Sequence, residues 1–470
     1  MTAPYDAVII GAGPTGMAAA ILLADHHARV LVLDEQAGPG GQIYRGVEEM
    51  SLQMPELFAA LGPDYAHGDE LAARFRNCGA EYQARATVWQ VTPATGEAGG
   101  GHEVWVSREG RSTAIMARNV LVATGAMERP VPVPGWTLPG AMTAGAVQVL
   151  LKSAGVVAED LVIAGAGPLV YLLAAQCLTA GARLMAVLDT TPHGSLLAAL
   201  PLLPGALRGK GLSYLAKGVA LKAMLRREGV PVYRHVTDIA LQGTNEVTDI
   251  AFKSGGRPLW LSVGIVALHE GVIPAQQMTR ALGCEHDWDE VQRCFRPRVD
   301  EFGHSSVDGI LVAGDGAGIG GARAAEHAGR IAAAAILHRV GTIDAAARDR
   351  LAAPDRRGLA AHLAIRPFLD RLYAPPTPVC RPDDDVIVCR CEEVTAGAIR
   401  QAVAHGAQGP NQLKSFLRAG MGPCQGRMCG PIVSELVAAA QGRSIAEVGY
   451  YRIRPPLKPV SVAEIAGAGG

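Results

Sequence analysis

The chain's 470 residues include 43 Lys or Arg and 44 Asp or Glu, and the resulting net charge of −1 offers nucleic acid no electrostatic attraction, so no nucleic-acid partner is expected. Apolar residues make up 49% and aromatic residues only 5%, with 57 glycines, which is typical of an α/β protein of two or three domains. No Lys or Arg precedes the first apolar run, so we expect no secretory signal and a cytoplasmic protein, free or peripheral on the cytoplasmic face of the inner membrane.

The first predicted elements form a strand, a glycine-rich turn, a helix and a second strand. The strand at residues 8–10 leads into GAGPTG at residues 11–16, and a helix is expected over residues 17–25. The second strand, residues 29–33, is followed by two acids, Asp34 and Glu35. This is the GxGxxG fingerprint in its full βαβ context, which predicts a nucleotide site.

Each residue of this fingerprint has a physical role. Gly11 permits the tight turn, Gly13 lets the backbone approach a pyrophosphate, and Gly16 lets the helix pack closely on the strand. Pro14 opens the helix, whose N-terminus faces the phosphates. Glu35 follows Gly11 by 24 residues and can accept hydrogen bonds from ribose hydroxyls.

The strand at residues 121–125 ends in three small residues, Ala123, Thr124 and Gly125. In an open α/β sheet, ligands bind outside the carboxyl ends of the strands. We therefore expect these three residues to line the same nucleotide site as the first glycine turn.

The first fingerprint recurs 154 residues later, because residues 162–170 align with residues 8–16 and Asp189 falls opposite Glu35. Val170 replaces the third glycine, and a β-branched side chain there should crowd a pyrophosphate. A scaffold that no longer binds NAD(P) well and a working nucleotide site both stay open. Residues 161–182 are uncharged over 22 residues, which is long enough to span a membrane, but the glycine turn favours a buried strand and helix, so no span is expected.

A strand at residues 310–315 ends in Gly314 and Asp315, and a helix is expected to begin at Ala322. An aspartate at the carboxyl end of a strand can accept a hydrogen bond from a ribityl hydroxyl. The start of the following helix can support a phosphate or a flavin carbonyl. These residues are therefore expected to close the first site.

A connector and a small module complete the chain. In the linker, residues 346–385, an Ala-rich helical stretch gives way to proline-dense residues at 374–378 and 382–385, which we expect to form a stiff, extended connector. The Pro-rich tail, residues 442–470, cannot add strands to a sheet and should lie across another surface. Between them, the predicted elements are a strand at 386–388, a helix at 396–404 that Thr395 can cap, a helix around 411–417, and a closing helix from near Pro431.

Four of the nine cysteines lie in this module, Cys389 and Cys391 as CxC and Cys424 and Cys429 as CxxxxC. Thiolate ligation suits an iron–sulfur centre or zinc. Structural zinc prefers CxxC spacing, which neither pair has. The spacing favours [2Fe–2S] and an electron-transfer role, with zinc, disulfides and inert thiols as alternatives.

The glycine turn, Glu35, Gly40-Gly41-Gln42, residues 123–125 and Gly314-Asp315 together resemble the flavoproteins with two dinucleotide-binding domains. In that family the first domain holds FAD and an inserted second domain holds NAD(P)H. The resemblance implies an α/β fold with two Rossmann-like domains, and it adds Gly41 and Gln42 to the residues expected to contact FAD. It also implies the division of the chain into an FAD domain at 1–140 and 280–345, an inserted domain at 141–280, a linker at 346–385, a [2Fe–2S] domain at 386–441 and a tail at 442–470.

Residues 124–130, 134–136 and 40–45, with the distal cysteines, resemble the larger α subunits of heteromeric bacterial dehydrogenases. These include opine oxidases, D-hydroxyproline dehydrogenase, dye-linked L-proline dehydrogenase and hydrogen cyanide synthase, and the α subunit of sarcosine oxidase is more distantly similar. The resemblance covers nearly the whole chain. Residues 386–441 resemble the module of bacterioferritin-associated ferredoxin, although that module closes with CxxC and this chain with CxxxxC.

This resemblance implies an electron-transfer subunit that carries FAD and a [2Fe–2S] cluster and serves an amine or imino-acid dehydrogenase. It implies a β subunit with the substrate-oxidising flavin domain, an FMN at the α–β contact, and a small ferredoxin-like γ subunit. No catalytic residue is expected here, because no amine-oxidising domain is recognisable in the chain. A self-contained NAD(P)H-dependent flavin reductase and a structural nucleotide-binding scaffold are the alternatives, and the first site could hold ADP or ATP instead of FAD.

Overall fold

The computed structural model describes residues 3–94 and 101–467. Its first part builds most of a mixed sheet, with helices between the strands. The elements are β1 (Tyr5–Ile10), α1 (Pro14–Asp25), β2 (Val30–Leu33), α2 (Val47–Gln53), α3 (Pro55–Leu61), α4 (Pro63–Arg76), β3 (Glu81–Gln83), β4 (Thr87–Pro93), β5 (His102–Arg108), β6 (Arg111–Val122) and β7 (Ala126–Glu128).

The next part contains a second parallel sheet and a small antiparallel one. Its elements are β8 (Ala141–Thr143), α5 (Ala144–Ala154), β9 (Leu161–Ala166), α6 (Pro168–Thr179), β10 (Leu184–Asp189), α7 (Ser195–Ala199), a 3₁₀ turn (Leu200–Leu202), α8 (Leu203–Ala206), α9 (Gly211–Arg227), β11 (Val232–Arg234), β12 (Thr237–Gln242), β13 (Asp249–Ser254), β14 (Arg257–Ser262) and β15 (Ile265–Glu270). The parallel sheet has the order β11-β10-β9-β15-β8, and β12, β13 and β14 pair antiparallel.

The last part returns to the first sheet and then forms the cysteine-bearing module. Its elements are β16 (Val272–Pro274), α10 (Gln277–Ala281), β17 (His286–Asp289), β18 (Cys294–Pro297), β19 (Ile310–Val312), a 3₁₀ turn (Gly314–Gly316), α11 (Ala322–Arg339), α12 (Ala345–Leu363), α13 (Arg366–Leu372), α14 (Thr377–Cys380), β20 (Ile387–Cys389), β21 (Val394–Thr395), α15 (Ala396–Ala404), α16 (Pro410–Leu417), α17 (Gly430–Gln441), α18 (Ile445–Val448) and α19 (Val462–Ala466). Strand β19 pairs with β6 and joins the first sheet, whose order is β3-β2-β1-β6-β5-β4.

The two faces of the first sheet bury different partners. Side chains alternate along β1, so that Ile9 packs in one cluster with Met17 of α1 and the apolar face of α11. Val8 and Ile10 point to the opposite face, into a cluster that also contains Leu436 of α17. The cysteine-bearing module therefore shares a hydrophobic core with the first sheet.

The connector begins with the helical stretch that the sequence predicts, and its proline-dense part, residues 374–385, lies outside helices except for the single turn of α14. Helices α12, α13 and α14 cover most of residues 346–385, and α12 packs along α11. Pro367 and Pro378 stand at the start of α13 and α14, where a missing N–H costs no helical hydrogen bond. Pro354 lies inside α12, so that helix depends on its packing rather than on local propensity.

The tail lies across the first domain. The amide of Leu457 donates to the carbonyl of Trp89 in β4 at 2.8 Å, and the Ser107 hydroxyl donates to Glu464 in α19. This agrees with the expectation that the tail covers a surface instead of extending a sheet.

Candidate cofactor sites

Three glycines of the first turn meet different demands. A Cβ on Gly11 would lie 2.5 Å from the carbonyl oxygen of Ala123, and one on Gly16 would lie 1.9 Å from that of Gly11. A Cβ on Gly13 would instead meet only the Cα of Gly41, at 3.8 Å. The protein's own packing therefore requires glycine at the first and third positions, while the space at the second is open to a ligand.

The start of helix α1 is suited to an anion. Gly13 occupies the N-cap position without a side-chain hydrogen bond to the helix, and the first turn carries no acid. Its free N–H groups and the positive end of the helix dipole would meet a pyrophosphate. The residues present therefore fit a dinucleotide.

The end of β2 carries two adjacent acids in different surroundings. The Asp34 carboxylate is buried and accepts hydrogen bonds from the amides of Ala12, at 2.6 Å, and Gln36, at 2.7 Å. Burial raises the pKa of Asp34. Glu35 is exposed, and its carboxylate pairs with Nζ of Lys458 from the tail at 2.7 Å. Sequence reasoning missed the part of Asp34 in holding the glycine turn, although its place directly after the strand was a signal.

The loop after Gly40 brings Gly41 against the first turn. A Cβ on Gly41 would lie 3.0 Å from the Cα of Gly13, and its φ of +64° also favours glycine. The Gln42 side chain accepts a hydrogen bond from Arg45 at 3.0 Å. The structure thus brings Gly41 to the nucleotide turn, and Arg45 fixes the orientation of the Gln42 amide.

Residues 123–125 and the chain after β16 are hydrogen-bonded together. The Thr124 hydroxyl donates to the carbonyl of Ala275 at 3.4 Å, and the Ala275 amide donates to the carbonyl of Gly125 at 3.0 Å. These bonds hold the turn after β6 against the segment that leads into α10.

The turn after β19 closes on the first helix. A Cβ on Gly314 would lie 2.0 Å from the hydroxyl oxygen of Thr15 in α1. The Asp315 carboxylate accepts the amides of Gly320, at 2.8 Å, and Gly321, at 2.9 Å. Helix α11 then begins at Ala322 without a side-chain cap. The two uncapped helix starts and the strand ends after β6 and β19 therefore belong to the same carboxyl edge of the first sheet.

The corresponding edge of the second sheet is filled by the chain's own side chains. A Cβ on Gly167, the counterpart of Gly13, would meet the imidazole of His269, at 3.8 Å. The Thr190 hydroxyl donates to Glu270 at 2.6 Å, and both residues are buried, as is Asp189. Desolvation raises the pKa of Glu270 to about 7. Buried side chains of this protein therefore occupy the edge of the sheet at which a second nucleotide would bind.

Val170 fits this sheet without strain. It is fully buried in a core cluster with Ile163 of β9 and Ala144 of α5. Gly167, which matches Gly13 of the first turn, is buried, whereas Gly13 is partly open. The larger side chain is thus part of a closed core.

The cysteine site brings two pairs of thiols together. The Cys389 sulfur contacts that of Cys429, and this contact, with backbone N–H groups, lowers the pKa of Cys389 to about 6. Cys391 is similarly linked to Cys424, and burial raises its pKa. All four thiols are free, and among residues 3–94 and 101–467 no three His, Cys, Asp or Glu side chains converge as in a preformed metal centre. The sequence signal that found these residues was their paired spacing.

Glycines and a tyrosine shape the surroundings of the thiols. A Cβ on Gly422 would lie 2.2 Å from the Cβ of Cys391. Tyr451 of the tail lies in the wall of the site, with its hydroxyl 3.8 Å from the Cys429 sulfur. Sequence reasoning did not find Tyr451. The all-thiol donor set and backbone N–H groups directed at sulfur fit an iron–sulfur cluster.

Known proteins with similar sequences identify the family of this chain. Residues 5–336 match the pyridine nucleotide-disulphide oxidoreductase family, and residues 385–469 match the sarcosine oxidase A3 domain. The chain is 46% identical over 464 residues to the A subunit of opine oxidase from Rhizobium meliloti (strain 1021), and the match covers 98% of each chain. The chain belongs to the group of opine oxidase A subunits within the pyridine nucleotide-disulphide oxidoreductases.

As a member of this group the chain is an oxidoreductase subunit, and its pyridine nucleotide-disulphide oxidoreductase domain implies FAD. Hydrogen cyanide synthase subunit HcnB of Pseudomonas aeruginosa is 34% identical, with 98% of each chain covered. The structure resembles L-proline dehydrogenase from P. horikoshii with a TM-score of 0.70 at 18% identity, covering 98% of this chain and 79% of that one. At this identity the likeness concerns the fold. In the part of the chain that the structure describes, no helix has both the length and the apolar character needed to cross a bilayer.

Proposed function

We propose that this subunit transfers electrons, passing them from a flavin through a [2Fe–2S] cluster held by Cys389, Cys391, Cys424 and Cys429 to an acceptor. The observation that carries the proposal is that these four thiols lie in a module sharing a hydrophobic core with the dinucleotide-binding sheet. A shared core fixes the two sites relative to each other, as electron transfer between them requires.

The donor set supports iron over zinc. All four candidate ligands are sulfur, and neither pair has the CxxC spacing that structural zinc prefers. The bound cluster would carry one electron at a time. The chain's own part is to hold the four sulfurs, direct backbone N–H groups at them, and keep the site partly buried.

FAD would be held by the first glycine turn, the loop at Gly41 and the strand ends after β6 and β19. The residues of the turn are Gly11, Gly13, Pro14 and Gly16. The chemistry supplied by a bound flavin is the exchange of electrons two at a time or one at a time. Helices α1 and α11 both begin without a side-chain cap, so their free N–H groups would be available to anionic or carbonyl oxygens of the flavin. Glu35 is the proposed ribose acceptor, and its contact with Nζ of Lys458 holds the carboxylate in place.

The substrate electrons are proposed to come from a partner. Relatives are named as subunits of opine oxidase and hydrogen cyanide synthase, and the residues supply no recognisable amine-oxidising domain. We propose a β subunit that oxidises an amine or imino acid, with FMN at the contact between the two chains, and a small ferredoxin-like γ subunit.

A self-contained NAD(P)H-dependent reductase is less well supported. The carboxyl edge of the second sheet is covered by His269, Thr190 and Glu270, and Gly167 is buried. NADH or NADPH is therefore expected not to bleach the flavin rapidly in anaerobic stopped flow. Rapid bleaching would favour the reductase.

The test is purification of the chain with its complex from the native host. Mass spectrometry should identify an amine-oxidising partner chain and released FAD, and the complex should oxidise an opine, proline or hydroxyproline with a dye acceptor. The chain purified alone should contain iron and sulfide but show no such turnover. Oxidation of these substrates by the isolated chain would place the substrate site here and contradict the division of labour.

A further inference from the structure

The tail inserts the aromatic ring of Tyr451 into the cysteine loop, residues 420–429, which contains Cys424 and Cys429. Tyr451 is 1% exposed, and a Cβ on either Gly420 or Gly426 would lie 2.5 Å from its ring. Only glycine at these two loop positions leaves room for the ring. The loop between the cysteines is therefore shaped around a residue that follows it by more than twenty positions.

The backbone on both sides of this ring is held in place. The Asn411 side chain of α16 donates to the carbonyl of Tyr450 at 3.3 Å and accepts the amide of Arg452 at 2.8 Å. Nζ of Lys414, one turn further along α16, lies 4.8 Å from the centroid of the Tyr451 ring. The position of the Tyr451 hydroxyl is thus set by contacts outside the cysteine loop.

The Tyr451 hydroxyl oxygen lies 3.8 Å from Sγ of Cys429, which is within the range of a hydrogen bond to sulfur. A cysteine that ligates iron is a thiolate without a proton, so the hydroxyl must then be the donor. Hydrogen bonds to cluster and ligand sulfurs stabilise the more negative, reduced state and raise the reduction potential.

We propose that Tyr451 is a positioning residue for the cysteine site, whose hydroxyl donates to the Cys429 sulfur and raises the reduction potential of the bound cluster. This inference rests on the proposed function, because it requires iron and sulfide at the four cysteines. It assigns a role in tuning electron transfer to the Pro-rich tail.

The neighbouring tyrosine provides a matched control. Tyr450 is also buried, but its hydroxyl donates to the carbonyl of Gly426 at 3.2 Å and not to a sulfur. Tyr450→Phe and Tyr451→Phe each remove one buried hydroxyl from the same wall. Only the second change removes a donor to a candidate ligand.

The experiment is a redox titration of the full chain, followed by electron paramagnetic resonance, with iron and sulfide counted in each sample. Tyr451→Phe should keep its iron and lower the midpoint potential by about 59 mV, a tenfold change in the ratio of oxidised to reduced cluster. Tyr450→Phe should match the unsubstituted chain. An unchanged potential in Tyr451→Phe, or an equal shift in both variants, would overturn the inference.

A second substitution keeps the test decisive if Tyr451→Phe loses its iron. Replacing Tyr451 by 3-fluorotyrosine retains the ring and makes the hydroxyl a stronger donor, so the potential should rise. An unchanged potential would refute the role of the hydroxyl. If the unsubstituted chain contains no iron or sulfide, the proposed function itself fails; if it contains both and only the Tyr451 prediction fails, the proposed function stands.

Discussion

A buried ion pair joins the cysteine module to the first domain, and a single substitution of similar shape removes it. The Glu435 carboxylate in α17 is 2% exposed and accepts hydrogen bonds from Nε and Nη2 of Arg293, at 2.7 and 2.5 Å. Helix α17 begins directly after Cys429, so this pair positions the helix that carries one of the four thiols. Glu435→Gln keeps the shape of the side chain and removes its charge.

The size of the effect follows from the burial of both partners. Removing one member of a buried pair typically costs about 3–5 kcal/mol, because the remaining charge stays unpaired. The Arg293 side chain is 21% exposed, so it can regain some hydration, and it keeps one neutral hydrogen bond to the glutamine. We therefore expect a loss of about 2 kcal/mol, which corresponds to a roughly 30-fold larger opening equilibrium for α17.

Hydrogen exchange of the full chain measures this local opening. Amides of α17 should exchange roughly 30-fold faster in Glu435→Gln, since exchange through local opening follows its free energy. Glu285→Gln is the control, because it breaks an ion pair with Arg298 in which both side chains are 59% exposed, and it should change nothing measurable. Unchanged protection of α17 in Glu435→Gln, or equal loss in both variants, would refute the reasoning.

Three further predictions address the nucleotide site, the second sheet and the thiols. In the FAD-free chain, Gly13→Ala should leave the thermal unfolding midpoint unchanged, because the new Cβ meets only the Cα of Gly41, at 3.8 Å. The same Cβ would take space proposed for the pyrophosphate, so calorimetry should show FAD binding weakened at least tenfold, about 1.4 kcal/mol. Gly16→Ala should impair folding, since its Cβ would lie 1.9 Å from a carbonyl oxygen. Burial raises the pKa of Glu270 to about 7, so the folded chain binds more protons than the unfolded chain from the ordinary carboxyl range up to pH 7, and stability falls across that window. The melting temperature of Glu270→Gln relative to the unsubstituted chain should therefore rise between pH 5 and pH 8, and a constant difference would contradict this assignment. Cys391→Ser should abolish retained iron and sulfide, whereas Cys78→Ser should retain both; equal iron in the two variants would exclude Cys391 as a ligand.

Local features of the fold were accessible from the sequence. The helix predicted for residues 396–404 has those bounds, and the Thr395 hydroxyl accepts the amide of Ala398 at 3.2 Å as its cap. The first helix begins at Pro14 rather than at residue 17, because proline is favoured in a first turn. The roles of the cysteines and of the nucleotide-site residues stay predictions, although the structure pairs Cys389 with Cys429 and Cys391 with Cys424.

Contacts between distant segments could not be predicted from one sequence. Arg293 and Glu435 are separated by 142 residues, and neither residue type nor spacing indicates that they meet. The same holds for Lys458 of the tail, which reaches Glu35 at the nucleotide edge. Packing along α11 stabilises α12 although that helix contains Pro354, and this long-range contact likewise could not be predicted from one sequence.

The most direct test of the central claim is the metal and sulfide content of the chain purified anaerobically from its native host, with its electron paramagnetic resonance spectrum after reduction. We expect about two iron and two acid-labile sulfide per chain and the signal of a reduced [2Fe–2S] centre. About one zinc per chain, without sulfide and without a signal, would contradict an electron-transfer role for the four cysteines.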